Sequence, residues 1–437
     1  MNWKKTMALA LAGVLSLGVL GCGSSAGSKS AGKKVKIEYW HVASESFGGA
    51  TVKQLVDEFN KSHPDIEVTA KYNPDMYKGL TQNLQAAMAS GKNPDVVQMG
   101  YSYLNYANDN LKYTDLNDLA KQDDKDKNFL KDNFLPNVLA LAQTEDGKQI
   151  GLPYSVSVPV LYINPDLFKQ AGLDPDNPPQ TWDEVKKAAE AIKAKTGNAG
   201  FFMQEYADNW AQQALIESNG GAMLKKENGK VRAAFDSPEA AQAYQLLADM
   251  VKDGSGLHAT NEEGFQAYLS GKVGMVCTTI GKRANFEKSA NFEKSANFKV
   301  VAAPFPVFQG KPRKVPAGGN FLMCFSKDPA KQKAAWEFIK YLESNDALTK
   351  WSTGTGYLPP RKCMDKEGAF KKVIDSNKNI QAALSTMPNL VKWASFPGQN
   401  GLKAEQLLID VRDVILSGKE PAAQALQETA AKVNELL

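Results

Sequence analysis

Short apolar runs alternate with segments of helical spacing near the start of the chain. VKIEYWHV (35–42), IEVTAKY (66–72) and PDVVQMG (94–100) have the composition of β-strands. Between them, the apolar side chains of residues 51–64 and 80–91 recur at the spacing of an amphipathic helix. Strands that alternate with helices predict an α/β fold in which crossover helices join parallel strands.

Further along the chain, capping residues mark the starts of helices. Thr181 and Glu184 have the spacing of a capping box, in which each side chain accepts a hydrogen bond from the backbone N–H of the other residue. Ser237 followed by Pro238 provides an N-cap and a first-turn proline. More amphipathic helices are predicted over residues 334–342, 405–418 and 421–437.

The size and composition of the chain are those of a soluble globular protein with more than one domain. Of its 437 residues, 43% are hydrophobic and 23% are charged, and about 400 lie beyond residue 34, enough for two domains. The formal charge of +4 falls to 4 − 2 = +2 without Lys4 and Lys5, so we expect no nucleic-acid partner. Beyond the N-terminal segment, an odd set of cysteines allows at most one disulfide: Cys277, Cys324 and Cys363.

The sequence contains no recognised catalytic motif. It lacks the G-x-S-x-G elbow of serine hydrolases and the G-x-x-x-x-G-K-[ST] loop that binds nucleotide phosphates. Its three histidines, His41, His63 and His258, have no metal-ligand spacing. We therefore expect a protein that is not an enzyme and needs no cofactor or metal ion. A secreted glycosidase is the alternative from another class, because that chemistry needs only two carboxylates and the chain has 48 acidic residues.

The N-terminal segment has the features of an export signal. A basic start precedes an apolar run that ends at Leu20 and is shorter than a membrane-spanning helix. VLGC (19–22) resembles the lipobox of bacterial lipoproteins, with valine in the position that leucine usually occupies. The resemblance implies that residues 1–21 are a signal peptide and that Cys22 is lipidated. Acyl chains would anchor the protein on the extracytoplasmic side of a bacterial cell membrane, with residues 22–34 as a flexible tether.

Eight sequence stretches occur in order along the rest of the chain: IEYWH, FNKSHPDIEV, YKGLTQNLQAAMASGKNPDVVQM, GLPYSVSVPVLYINPDLFKQAGLDPDNPPQTWDEV, FQAYLSGKVGMVCTT, VPAGGNFLM, AAWEFIKYLES and TGTGYLPPR. With them the chain resembles, from about Val35 to its C-terminus, the extracellular solute-binding proteins of bacterial ABC importers. Within that family it is similar to the carbohydrate group that includes the glycerol-3-phosphate-binding protein. The long fourth stretch combined with the last one is the most specific part of the match.

The resemblance implies a two-lobed, periplasmic-binding-protein-like α/β fold of type II, with a hinge and an interlobe cleft. Residues 35–149 plus 279–335 would form one lobe, and residues 150–278 plus 336–437 the other. A ligand that contacts both lobes would favour the closed form. The protein would capture a carbohydrate by hinge closure and deliver it unaltered to the ABC permease, and we expect it to act as a monomer.

The resemblance also implies six ligand-binding residues that match the family's pattern one by one: Tyr77, Ser157, Trp210, Thr279, Gly319 and Tyr357. Tyr77 would stack on the apolar face of a sugar ring, unless it only covers the core. Thr279 stands where the family has a serine and keeps the hydroxyl group. Gly319 would bring the backbone close to the ligand. The local match is loose around Trp210.

Two positions depart from the glycerol-phosphate-binding protein. Tyr101 replaces a glutamate that binds glycerol hydroxyls, and a gap-free alignment places Glu405 where an arginine binds the phosphate. The carboxylate of Glu405 would repel phosphate and accept hydrogen bonds from sugar hydroxyls, and the ring of Tyr101 would stack on a sugar. Both residues are therefore predicted to help bind a neutral sugar, oligosaccharide or polyol. One alternative is that a shifted alignment puts Lys403 at the arginine position, which would allow glycerol-3-phosphate or a glycerophosphodiester. The other is that Glu405 is simply an exposed residue in the first turn of a helix.

Overall fold

The computed structural model describes residues 34–204, 209–291, 298–362, 364 and 366–437. The predicted signal peptide, Cys22 and nearly all of the predicted tether lie outside these ranges, as does Cys363. The export signal, the lipid anchor and any disulfide through Cys363 therefore stay predictions. The other two cysteines, Cys277 and Cys324, are buried free thiols. Residues Lys34–Leu437 form one compact unit.

The described residues contain the following β-strands: β1 (Val35–His41), β2 (Ile66–Tyr72), β3 (Val96–Gly100), β4 (Leu152–Ser157), β5 (Pro159–Ile163), β6 (Ala199–Met203), β7 (Leu224–Glu227), β8 (Lys230–Ala233), β9 (Gly256–Leu257), β10 (Val273–Thr279), β11 (Val301–Pro304), β12 (Val315–Pro316), β13 (Gly318–Cys324) and β14 (Leu390–Val391).

They also contain the following α-helices: α1 (Ala50–Ser62), α2 (Met76–Ala89), α3 (Leu104–Asn110), α4 (Leu116–Lys121), α5 (Phe129–Asn133), α6 (Pro136–Leu139), α7 (Pro165–Gln170), α8 (Trp182–Thr196), α9 (Trp210–Ser218), α10 (Pro238–Asp253), α11 (Asn261–Leu269), α12 (Arg283–Asn291), α13 (Pro329–Leu342), α14 (Asn345–Thr355), α15 (Gly368–Asp375), α16 (Lys378–Leu384), α17 (Gly401–Leu416) and α18 (Ala422–Leu436).

A first sheet has the strand order β2-β1-β3-β13-β4. β1 pairs in parallel with β2 and β3, and the β1–β2 register begins with Val35 opposite Ile66. β13 runs antiparallel to both β3 and β4. The predicted parallel arrangement is therefore confirmed for β1, β2 and β3, whereas β13, for which the sequence analysis made no prediction of direction, is antiparallel. Residues 305–317 lead into β13 from β11, which is not a member of this sheet.

A second sheet has the strand order β11-β5-β10-β6-β9. β6 runs parallel to β9 and β10, whereas β5 is antiparallel to β10 and β11. Two small two-stranded sheets, β7 with β8 and β12 with β14, lie outside these larger ones. Both large sheets are mixed, and helices follow most of their strands, as an α/β fold requires.

Val158 alone separates β4, in the first sheet, from β5, in the second. The elements that belong to each sheet differ at three places from those that the predicted lobe boundaries would group together. β4 pairs within the first sheet and β11 within the second, while α13 packs against β1 of the first sheet. Sequence order locates where a chain crosses between sheets only approximately, because strand pairing and helix packing decide which sheet each element joins. The lobe division itself stays a prediction.

The predicted capping box at the start of α8 is confirmed. Thr181 Oγ1 accepts a hydrogen bond from the Glu184 backbone N–H at 3.2 Å, and Glu184 Oε2 accepts one from the Thr181 N–H at 3.0 Å. The first residue of the helix, Trp182, is fully buried. Its ring lies 5.7 Å from that of Phe201 on β6 and 5.4 Å from that of Phe305, with near-perpendicular planes. The cap thus positions a large aromatic anchor against the second sheet.

Candidate ligand-binding cleft

A cavity of about 670 Å³ lies between residues that follow the strands of both sheets. It is lined by Val42, Ser44, Phe47, Tyr72, Asp75, Met76, Tyr77, Lys78, Gln82, Ser102, Tyr103, Ser157, Gln204, Trp210, Thr279, Lys282, Asn285, Gly318, Gly319, Tyr357 and Trp393. Its volume is in the range of small-molecule sites in proteins.

The carboxyl ends of parallel strands from both sheets meet at this cavity. Val42 follows β1, Tyr72 ends β2 and Ser102 follows β3, while Gln204 follows β6 and Thr279 ends β10. Open α/β sheets commonly bind ligands in the crevice outside the carboxyl ends of their strands. The cleft is therefore in the position where a ligand site is expected.

The side chain of Tyr77 brings two features to the cleft wall: an aromatic ring that is held in place by packing, and a hydroxyl group. Its OH accepts a hydrogen bond from Asn320 Nδ2 at 3.0 Å. Its ring packs against Gly100, where an added Cβ would come within 2.6 Å of the ring. Burial, with Tyr357 as a further neighbour, raises the pKa of Tyr77 well above its ordinary value. The phenol therefore stays protonated and can take part in hydrogen bonds near neutral pH.

Two hydroxyl groups meet where the chain crosses between the sheets. The Oγ of Ser157, at the end of β4, is hydrogen-bonded to the Oγ1 of Thr279, at the end of β10. Thr279 Oγ1 also accepts a hydrogen bond from the Gly281 N–H at 2.9 Å. The pair presents hydroxyl groups to the cleft from the ends of two strands that belong to different sheets.

Aromatic rings form much of the remaining wall. Trp210 and Trp393 lie with ring centroids 6.2 Å apart, and Trp210 Nε1 donates a hydrogen bond to the Pro316 carbonyl at 3.0 Å. Tyr357 makes an edge-to-face contact with Phe47 at 5.6 Å. Rings held in this way offer flat apolar faces together with polar edges, a combination that suits a sugar ring.

Gly319 is a position that requires glycine. Its φ is +105°, a conformation that other residues rarely adopt. An added Cβ would lie 2.1 Å from the carbonyl oxygen of Ser155 on the neighbouring strand β4. The backbone of β13 therefore reaches the cleft with no side chain between it and a ligand.

The structure brings six of the eight predicted site residues together on this cleft: Tyr77, Ser157, Trp210, Thr279, Gly319 and Tyr357. Their contacts with a ligand stay predictions. The other two predicted residues, Tyr101 and Glu405, do not line the cavity.

Tyr101 lies behind the cleft rather than on it. Its side chain is 1% exposed, and its ring packs against that of Phe321 at 5.7 Å. Burial, together with nearby Glu343, raises the pKa of Tyr101 well above its ordinary value. Tyr103, two residues later, lines the cavity instead, because the tight turn Tyr101–Tyr103 directs the two rings differently.

Glu405 lies in the second turn of α17, the helix that packs against α18. It is 9% exposed, so the alternative of an exposed first-turn residue is wrong. Lys403, which a shifted alignment would place at the arginine position, is exposed and also does not line the cavity. The presence of Glu405 where the glycerol-phosphate-binding protein has an arginine therefore gives no information about the charge of a ligand in this cleft.

Several lining residues were not predicted from the sequence. Trp393 precedes α17 in an irregular segment, and its indole N–H donates to Asn209 Oδ1. Lys282 follows Thr279 by three residues, is half-buried, and has its pKa lowered by that burial. The one usable signal in the sequence was the nearness of Lys282 to the predicted contact at Thr279.

His41 gives the protein a specific dependence on pH. It ends β1, is 6% exposed, and burial lowers its pKa from 6.5 to about 4. The unfolded chain therefore takes up a proton first as the pH falls, and the free energy of unfolding decreases between about pH 6.5 and 4, by about 3 kcal/mol at most. Urea denaturation at pH 7 and pH 4.5 is expected to show a smaller loss in His41→Gln than in the wild type.

The matched control for this prediction is His63→Gln, at a partly exposed position that follows α1. It is expected to keep the wild-type difference between the two pH values. A His41→Gln variant that loses as much stability as the wild type would contradict the assignment of this pH dependence to His41.

In the described ranges, no group of three or more His, Cys, Asp and Glu residues is arranged to hold a metal ion. No helix among the same residues is long and apolar enough to span a membrane.

Comparisons with known proteins agree on one family. The family described as bacterial extracellular solute-binding protein matches residues 54–382. The sn-glycerol-3-phosphate-binding periplasmic protein of Pectobacterium atrosepticum is 27% identical over 435 residues, covering 94% of this chain and 93% of the relative.

Two solved structures share the fold. UgpB from Mycobacterium tuberculosis, in complex with glycerophosphocholine, has a TM-score of 0.79 at 21% identity, covering 92% of this chain and 98% of its own. The cyclic alpha-maltosyl-1,6-maltose binding protein from Arthrobacter globiformis has a TM-score of 0.77 at 24% identity, with coverages of 92% and 99%. Since the family match spans well over half of the sequence, the chain belongs to the bacterial extracellular solute-binding proteins of ABC importers.

Proposed function

We propose that this protein captures a hydroxyl-rich, carbohydrate-type solute in the cleft and hands it to the permease of an ABC importer without changing it. The observation that carries the proposal is the composition of the cleft, in which aromatic rings and hydroxyl groups line one cavity at the carboxyl ends of both sheets. Rings cover the apolar faces of a sugar, and hydroxyl groups exchange hydrogen bonds with its edges. Solute-binding proteins of this family bind small molecules and deliver them to ABC permeases.

Capture is proposed to use hinge closure. Val158 is a one-residue link between β4 and β5, and the Ser157–Thr279 hydrogen bond lies beside it. A short link between two rigid sheets allows rotation with few changed dihedral angles, and a ligand that contacts both sides favours the closed form. The two lobes, with boundaries adjusted to the strand pairing, are part of this proposal.

The membrane location is proposed from the N-terminal sequence. Lipidation of Cys22 would hold the protein on the extracytoplasmic side of a cell membrane, where the tether would let it reach the permease. Metabolic labelling with a fatty-acid analogue is expected to mark the wild type and not Cys22→Ser. An unlabelled wild type would remove the anchor from the proposal and leave the binding function in place.

A ligand panel tests the binding function directly. The purified protein is mixed with mono-, di- and oligosaccharides, polyols, glycerol-3-phosphate and glycerophosphocholine, and its thermal unfolding is recorded. A ligand at 100 times its dissociation constant is expected to raise the free energy of unfolding by about 2.7 kcal/mol. Absence of any shift across the panel would contradict the proposed function.

The same samples distinguish binding from catalysis. Each ligand that stabilises the protein is recovered after several hours and analysed by chromatography. We expect it to be unchanged, since the proposal includes no chemical step. Hydrolysis of the bound ligand would favour the alternative of a secreted glycosidase.

A further inference from the structure

We propose that Lys282 is the specificity-determining residue of the cleft and binds the carboxylate of a sugar acid. The proposal rests on the proposed function and adds the chemical class of the solute. It follows from three observations on Lys282: its place on the cavity wall, its apolar surroundings, and the charges of the other lining residues.

The ammonium group of Lys282 lies among aromatic rings. Its Nζ is 5.9 Å from the centroid of Phe47 and 5.2 Å from that of Phe265. Phe47 and Lys282 both line the cavity, and Gly281 next to the lysine lies against Tyr357 and Phe47. Ring faces stabilise a cation only modestly, and they provide no negative charge to balance it.

No acidic side chain of the described residues compensates this charge. None of their carboxylates lies within 4.0 Å of Lys282 Nζ, although ion pairs such as Lys340–Asp126 at 2.6 Å form elsewhere in these parts of the chain. Closure of a cleft removes water from such a group, and a buried charge without a partner is costly. An anionic group on the ligand would supply the missing partner at the moment when water leaves.

The charge of the cleft matches a monoanion. Its described charged lining residues are Lys78, Lys282 and Asp75, which give 2 − 1 = +1, and only Lys282 is partly buried. No arginine is among the described lining residues, so the two-pronged donor that suits phosphate is missing from this wall. A phosphate ester carries nearly two negative charges near neutral pH, whereas a sugar carboxylate carries one and balances this site.

Calorimetric titration of matched sugar pairs tests the proposal. Glucuronate is compared with glucose and galacturonate with galactose, and glucose 6-phosphate and glycerol-3-phosphate are titrated alongside. We expect at least one acid to bind ten times more tightly than its neutral partner and more tightly than either phosphate. In Lys282→Gln this preference is expected to fall below twofold, while Lys282→Arg keeps most of it.

Lys272→Gln is the matched control, because Lys272 is an exposed lysine immediately before β10 that does not line the cavity. It is expected to keep the tenfold preference. Two results would overturn the assignment to Lys282: a neutral sugar that binds as tightly as its acid, or a phosphate that binds most tightly of all. Either result would leave the proposed function intact. Failure of every compound in both panels would overturn the proposed function and this inference with it.

Discussion

Replacing Tyr77 by alanine is expected to weaken binding of the best ligand by at least tenfold, equivalent to about 1.4 kcal/mol. The ring of Tyr77 forms part of the cleft wall, and its OH is the acceptor for Asn320 Nδ2 at 3.0 Å. The substitution removes the flat surface for a sugar ring and leaves a buried amide N–H without its acceptor. Isothermal titration calorimetry measures the change in the dissociation constant.

Two further variants separate binding from folding. Tyr77→Phe keeps the ring and loses only the hydroxyl group, so its loss of affinity is expected to be intermediate. Tyr113→Ala removes a partly buried tyrosine that does not line the cavity, and its affinity is expected to equal that of the wild type. Equal affinities in Tyr77→Ala, Tyr113→Ala and the wild type would exclude Tyr77 from the binding site.

The sequence predicted individual elements well where apolar periodicity or a cap was strong. The run 35–42 corresponds to β1, residues 51–64 to α1, and the capping box at Thr181 to the start of α8. Which sheet each strand joins was not predicted, because it depends on partners far away in sequence. β11 lies within residues 279–335, which were predicted to belong to the first lobe, and yet it pairs with β5 in the second sheet.

The position of the cleft could be predicted because family motifs fix residues at the ends of strands. Ser157 and Thr279 stand at the ends of β4 and β10, where small errors of alignment matter little, and Tyr77 lies in the first turn of α2. Tyr101 does not line the cavity, because the tight turn Tyr101–Tyr103 places Tyr103 there instead. Glu405 does not line the cavity either, because the orientation of α17 follows from its packing against α10 and α18.

Lys282 and Trp393 show what a single sequence leaves open. A lysine in a polar stretch is ordinarily solvated, and its partial burial follows from Phe47 and Phe265, which are far from it in sequence or on other elements. Trp393 likewise reaches the cavity only because the segment before α17 folds back beside Trp210. In both cases the decisive contacts are between residues distant along the chain, and no local pattern encodes them.

Replacing Gly319 by alanine is expected to lower the free energy of unfolding by about 3 kcal/mol or more and to abolish measurable ligand binding. The φ of +105° is strained for any residue with a Cβ, at a cost of about 1 to 3 kcal/mol. In addition, the new Cβ would lie 2.1 Å from the Ser155 carbonyl oxygen, so β13 and β4 must move apart. That movement displaces Ser157, at the end of β4, from the cleft wall.

Gly310→Ala separates the two causes. Gly310 also has a positive φ, +74°, but an added Cβ there would have no atom within 4 Å and the residue does not line the cavity. Its substitution is expected to cost only the backbone strain, about 1 kcal/mol, and to leave ligand affinity unchanged. Chemical denaturation and calorimetric titration of both variants measure the two effects. Equal losses of stability would mean that strain alone matters at Gly319, and unchanged binding in Gly319→Ala would contradict the close approach of β13 to the ligand.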